Sequence, residues 1–363
     1  MENTRAWAEI DLAALRHNLQ EVRRLAPRSR VLSVIKSDGY GHGSVRVAQA
    51  LLGSDAFGVA TFSEALILHK AGVKAPLLLL EGVMDADQLQ QASALGFQIV
   101  VHAQWQLDLL FNTPIPEAVA VWLKIDTGMH RLGLAPADCL ATWNRLQRSD
   151  KVQSVVLMSH LGCADESAHP LTDEQCARFT ELVDRCAATN ASLANSAAVL
   201  TAPDHHYQWV RPGLMLYGAS PLPHRSASNV NLKPVMHLQA RIFSLRTVCA
   251  GDSVGYGATW RALRDTRVAI VTIGYGDGYP RHINSQAQVL IQNVRCPVIG
   301  RVSMDMLAVD VSQLGALPLH TPVTLWGPGL PIEEVAQWAG TINYELMCQV
   351  TQRVARVYSE AEL

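Results

Sequence analysis

Short apolar, β-branched runs alternate with stretches of helical period through the first two-thirds of the chain, and this alternation limits the fold more than any other feature. A run such as Val119-Ile125 suits a strand buried on both faces, whereas Thr172-Ala188 spaces Cys176, Phe179, Leu182, Val183 and Cys186 along one stripe. Repeated strand–helix units give parallel strands, because each helix carries the chain back along the sheet. Eight candidate strands follow in order: Val31-Lys36, Phe57-Ala60, Leu77-Leu80, Phe97-Val101, Val119-Ile125, Ser154-Ser159, Ala191-Ala194 and Trp209-Arg211. Between them lie the amphipathic segments Ser44-Leu52, Ser63-Ala71, Asp85-Leu95 and Thr172-Ala188, the last opening with Thr172 and Gln175 at capping-box spacing. Eight such units fit a closed (β/α)8 barrel better than an open sheet. The strands of the seventh and eighth units are short.

The texture changes after Ala219. The stretch Ser220-Ser228 is rich in Pro and Ser and has no apolar period, as a connection between domains would. Beyond it the chain reads as strands and turns: Val235-Val248, Arg267-Ile273, Gln288-Ile291, Leu307-Val311 and Val323-Trp326, with one short helix near Ile332-Trp338. The predicted architecture is α/β: an N-terminal (β/α)8 barrel domain over residues 1–228 and a mostly β domain over 229–363.

Charge and composition narrow the partners. Thirty basic residues stand against 32 acidic ones with no long like-charge run, which leaves no footprint for a nucleic-acid backbone or an anionic membrane. Apolar runs such as Leu77-Leu80 fall far short of the roughly 20 residues a membrane-spanning helix needs. The opening Met1-Glu2-Asn3-Thr4-Arg5 carries no secretory pattern. Seven cysteines at irregular spacing read as buried free thiols in a reducing compartment, so a cytoplasmic protein acting on a small molecule is expected.

In a barrel of this type, functional groups sit at the C-terminal ends of the strands. Those positions hold Lys36, Lys124 with Arg131 beyond it, His160, Asn195 with Ser196, and Arg211. Together they suit a bound anion with a reactive carbonyl. A lysine leaving a buried strand is partly desolvated, which favours the neutral amine that attacks a carbonyl; Lys36 reads equally as a lysine running out to solvent. The loop Gly39-Tyr40-Gly41-His42-Gly43-Ser44 could cradle phosphate with backbone N–H groups, or be a plain flexible connection. Its third glycine falls one place early for a dinucleotide fingerprint. Arg131 can grip a carboxylate with two hydrogen bonds. His169 with Asp165 and Glu166, and His205-His206, match no zinc spacing, so no metal is expected. Tyr256 and Tyr275 stand between glycines, where hairpin turns and close backbone approach are both open readings.

Six segments in order resemble the alanine racemase family: Lys36-Gly43, Lys124-Gly133, Arg211-Gly218, Gly255-Gly257, Gly274-Arg281 and Gly300-Asp305. The likeness runs from Trp7-Leu12 to Thr341-Glu345. It implies that Lys36 carries pyridoxal phosphate as an imine. Tyr40, Ser196, Tyr344 and the backbone of Gly213 and Leu214 would hold the phosphate, with Asn195 close by. Arg211, supported by His160, would face the ring nitrogen. Arg131 and the N–H of Met304 would receive the substrate carboxylate, Tyr275 and Tyr344 would narrow the entrance, and Lys124 would be a site for a carbamate that steers Arg131. The implied activity is interconversion of L- and D-alanine by two bases, Lys36 and Tyr256, in a homodimer whose second domains complete each other's sites. A non-catalytic pyridoxal-phosphate carrier would lack the second domain. A decarboxylase of basic amino acids would place an acid at the ring nitrogen and a catalytic cysteine motif late in the chain, where Cys296 and Cys348 sit in no such context. Gly39 and His69 depart from the family's more frequent alanine and arginine.

Overall fold

The computed structural model describes residues 4–166, 168–223 and 225–360, so Met1–Asn3 of the opening segment and His224 of the predicted connection lie outside the described residues. The chain opens with a strand, β1 (Ala6–Asp11), followed by the helix Leu12–Leu25, whose first turn is capped by the Asp11 carboxylate accepting from the Ala14 N–H. Eight parallel strands then close into the expected barrel: β2 (Arg30–Val34), β3 (Ala56–Val59), β4 (Leu77–Leu79), β5 (Gln98–Val101), β6 (Val119–Lys124), β7 (Val152–Met158), β8 (Ala191–Ser192) and β9 (Trp209–Val210). Closure is direct, with Arg30 opposite Trp209 and Val31 opposite Val210. Each predicted strand overlaps one of these eight, though the first ends at Val34, short of the expected Lys36, and the shortest two are β8 and β9.

The helices obey the same local chemistry, with one correction. Phe62–Lys70 starts from a Thr61–Glu64 capping box. The box predicted from Thr172 and Gln175 does not form. Pro170 takes the first helical position and His169 caps the helix Pro170–Arg185, so Thr172 lies inside it and donates to the Cys163 carbonyl. Gln175 turns inward, donating to the His160 carbonyl and the Thr127 hydroxyl and accepting from the Gly162 N–H.

The second sheet is built around β10 (Met236–Val248), which pairs antiparallel with β1, Thr266–Val271 and Pro322–Trp326. A register shift between Ile242 and Ser244 bends this long strand so that it serves two parts of the sheet. The strand Ala355–Ser359 lies parallel to β1, so segments far apart in sequence are neighbours in this sheet. The strands β1, Val294–Ile299 and Ala355–Ser359, and the helix Asn343–Gln349, are additions to the sequence-based expectation. The cysteines also differ from it. Cys139, Cys176, Cys186 and Cys296 are buried, whereas Cys249 and Cys348 are exposed, because they sit on a turn and on the short helix.

Candidate active site

The C-terminal ends of the barrel strands surround a cavity of about 560 Å³. Lys36, Tyr40, Lys124, Arg131, His160 and Arg211 all reach it, together with Asn195, Ser196, Gly213, Leu214 and Tyr344. Eleven of the fourteen residues singled out from the sequence therefore share one mouth. Four of those eleven are cations, and Glu81 at the rim is the one carboxylate in the lining. Such a space favours a ligand with more than one negative group.

Arg211 leaves β9 fully buried and is held by neutral acceptors. It donates to Ser192 Oγ at 2.5 Å, to the Ser159 carbonyl at 2.6 Å, to the Leu193 carbonyl at 3.3 Å and to His160 Nδ1 at 3.4 Å. Burial lowers its pKa to about 10, which still leaves it charged at neutral pH. Loss of water and then the Arg211 charge push His160 well below the usual imidazole range, so it is neutral and can accept from the guanidinium. Lys124, at the end of β6, is lowered to about 8 by burial and then by Arg211 and Arg131. Ser159, Ser192 and Gln175 fix these groups; none was expected at the site from the sequence, where Gln175 was read only as half of a capping box. The one available signal was that Ser159 precedes a strand-end histidine.

The lysine-bearing segment has an unusual form. Ser37, Asp38, Gly39, Tyr40 and Gly41 all have positive φ, between 52° and 79°, and make one turn of left-handed helix. For residues other than glycine this conformation costs roughly 1–2 kcal/mol each. The turn presents Lys36 at its start and Tyr40 at its end to the same cavity. Its amides are spent internally: Gly39 N–H donates to the Ile35 carbonyl, Gly41 N–H to that of Ser37 and Gly43 N–H to that of Asp38, while Ser44 N–H goes to the Asp38 carboxylate. The expectation that this loop cradles phosphate through backbone N–H groups is therefore corrected. Across the cavity floor, Ser196 Oγ accepts from the Gly213 and Met215 N–H groups. A side chain at Gly213 would run into the Tyr40 hydroxyl, so this position needs glycine.

Tyr256, Tyr275 and Met304 are not brought to this cavity. They lie on loops of the second sheet and are 66%, 40% and 53% exposed. Tyr256 lines a separate cleft beside Phe243 and Arg301. Tyr275 and Met304 are neighbours, since the Tyr275 N–H donates to the Ser303 carbonyl and the Gly276 N–H to that of Met304.

Residues 10–221 match the family model described as alanine racemase, N-terminal domain, and residues 235–358 match that of the C-terminal domain. The alanine racemase of Nitrosococcus oceani is 50% identical over 350 residues, covering 96% of this chain and 98% of that one. That of Vibrio vulnificus is 46% identical over 356 residues, covering 98% and 99%. Among solved structures, the biosynthetic alanine racemase from Pseudomonas aeruginosa superposes with a TM-score of 0.95 at 45% identity, over 98% of this chain and 100% of that one. The alanine racemase from Acinetobacter baumannii superposes at 0.94 and 40% identity, with the same coverage.

Proposed function

The chain belongs to the alanine racemase family, and from that premise we propose a two-base racemisation of alanine carried out with pyridoxal phosphate in the barrel mouth. The chain interconverts L- and D-alanine. The observation that carries the cofactor reading is the cavity itself, where a lysine amine, a buried arginine with neutral partners and the Ser196–Gly213 floor converge. These groups fit a phosphorylated pyridine aldehyde: Lys36 would supply the amine that holds its aldehyde carbon, Tyr40, Ser196, Gly213, Leu214 and Tyr344 would hold the phosphate with Asn195 beside them, and Arg211 would face the ring nitrogen. When bound, the cofactor supplies the electron sink that acidifies the substrate's α-proton.

The remaining work belongs to side chains. Inversion requires a proton taken from one side of the substrate's α-carbon and another returned to the opposite side, so two acid–base groups must flank it. Lys36 Nζ is the base on the barrel side, and the Tyr256 hydroxyl is the one from the second domain. Arg131 and the Met304 N–H hold the substrate carboxylate, with Tyr275 and Tyr344 limiting the opening. Arg211 keeps its own proton, so it offers the ring a donor and no acid that would protonate it fully. A carbamate on Lys124 needs a neutral amine, and a pKa of about 8 supplies a fraction of one near neutral pH.

Tyr256, Tyr275 and Met304 are exposed on one chain, so the reading includes a homodimer in which each second domain faces the partner's barrel. Among the described residues, no helix is long and apolar enough to cross a membrane. Seven irregularly spaced cysteines support a cytoplasmic setting. The test is purified protein given L-alanine in D2O. Circular dichroism should decay to zero as deuterium enters the α-position, and Lys36→Ala should abolish both changes. Retained optical activity, or carbon dioxide release in place of inversion, would overturn the reading.

A further inference from the structure

The left-handed turn that carries Lys36 and Tyr40 is wound against the preference of L-residues, and three of its five members, Ser37, Asp38 and Tyr40, have side chains that feel the penalty. Two residues of the last strand, Ala355–Ser359, reach it from the second sheet. The Tyr358 hydroxyl donates to the His42 carbonyl at 3.0 Å, and Arg356 Nε donates to the Gly41 carbonyl at 3.2 Å. The same guanidinium also donates to the carbonyls of Val350, Thr351 and Val354 at 2.6, 2.5 and 2.8 Å. Those carbonyls directly follow the helix Asn343–Gln349, which brings Tyr344 and Cys348 to the cavity. One planar group therefore ties together two pieces of chain that line the site. The fit leaves no slack: a Cβ on Gly41 would overlap the Met347 carbonyl oxygen, and one on Gly43 would overlap the Tyr358 hydroxyl.

We propose that Arg356 and Tyr358 are positioning residues that hold the lysine turn in its left-handed form and thereby set the affinity for pyridoxal phosphate. The proposal rests on the reading that Lys36 anchors that cofactor. Without the clamp, Ser37, Asp38 and Tyr40 relax toward negative φ, and Lys36 and Tyr40 no longer face one point. A cofactor that binds only the wound turn then sees a smaller competent fraction, and its apparent dissociation constant rises in proportion.

The test uses full-length Tyr358→Phe and Arg356→Lys proteins beside the unsubstituted chain. Each is stripped of cofactor and titrated with pyridoxal phosphate by absorbance. Hydrogen exchange is followed at the Gly39, Gly41 and Gly43 amides before any cofactor is added. Tyr358→Phe, which loses one hydrogen bond, should weaken binding about three- to tenfold and speed exchange at those amides, with little change in melting temperature, and Arg356→Lys, which loses more, should weaken binding further. Ser37→Gly placed in the Tyr358→Phe background should recover part of the affinity, because it removes one opposing Cβ. Unchanged affinity and exchange, a melting temperature that falls in step with affinity, or no recovery with Ser37→Gly overturns the clamp. If the unsubstituted chain takes up no pyridoxal phosphate, the functional reading fails instead. The exchange rates still judge the clamp, and amides indifferent to Tyr358→Phe would sink it.

Discussion

At His42, Nδ1 faces the carbonyl oxygens of Gly39 and Tyr40 at 3.0 and 2.8 Å, so this nitrogen carries the hydrogen. Nε2 is buried with no hydrogen-bond partner, and a second proton there would find no acceptor. Burial accordingly lowers the imidazole to about 4. The unfolded chain binds this proton below pH 6.5 and the folded chain resists it until about 4, so the stability is present above 6.5 and lost as pH falls between those values. The loss from this site is about 3 kcal/mol. His102, His206 and His237 shift the same way through burial, so acid sensitivity is shared. We expect His42→Asn to give a shallower fall in urea midpoint between pH 6.5 and 4. Equal slopes in the two proteins would contradict the assignment. His42 was visible in the sequence only as part of a glycine-rich loop, since burial of a ring by distant elements leaves no local signature.

Among elements, the loops that carry Tyr275 and Met304 are joined by an ion-pair cluster. The buried Asp277 carboxylate lies 3.4 Å from Arg5 and 3.3 Å from Arg353, and Arg353 also reaches Asp305 at 2.6 Å. The second Asp277 oxygen accepts from the Gly274 N–H at 3.0 Å, which closes the turn before Tyr275. Asp277→Asn leaves the two guanidinium groups without their shared charge, and because both are partly exposed and screened by solvent the loss of stability should be modest. If the cluster positions the substrate loops, KM for alanine rises more than kcat falls. A lower melting temperature with KM unchanged would make the cluster merely structural. Elements with a strong period, such as the helix Asp85-Leu95 or the strand Val119-Ile125, were legible in the sequence, because burial on a fixed face imposes the pattern. The strand Ala355–Ser359 was not, since most of its residues are only partly buried and carry no alternation.

For the whole molecule, the sequence located both architectures and, from strand ends alone, seven residues of one cavity, because strand ends in a barrel converge by geometry; Tyr40, Gly213, Leu214 and Tyr344 were assigned roles there only through the family likeness. What it could not show without the family likeness is that Tyr256, Tyr275 and Met304 stand apart from that cavity within a chain. Distance between loops of separate sheets is a property of packing, with no trace in local pattern. A mixing experiment addresses the shared site. Lys36→Ala and Tyr256→Phe chains, each inactive alone, should recover about a quarter of full activity after random exchange, since half the dimers are mixed and each holds one intact site. Verified mixed dimers without activity would rule out sharing.

The pairing of β1 with β10 and with the last strand also bears on how the chain is made. Residues 6–11 are made before both of their partners, 236–240 and, later still, 355–359. The barrel strands are complete by Val210, so that layer can assemble during translation while the opening strand waits unpaired. Arg356 and Tyr358 are made well after the barrel strands, so a nascent chain can hold a barrel before its lysine turn is secured, and the site can take its final shape only once that distant strand has been added.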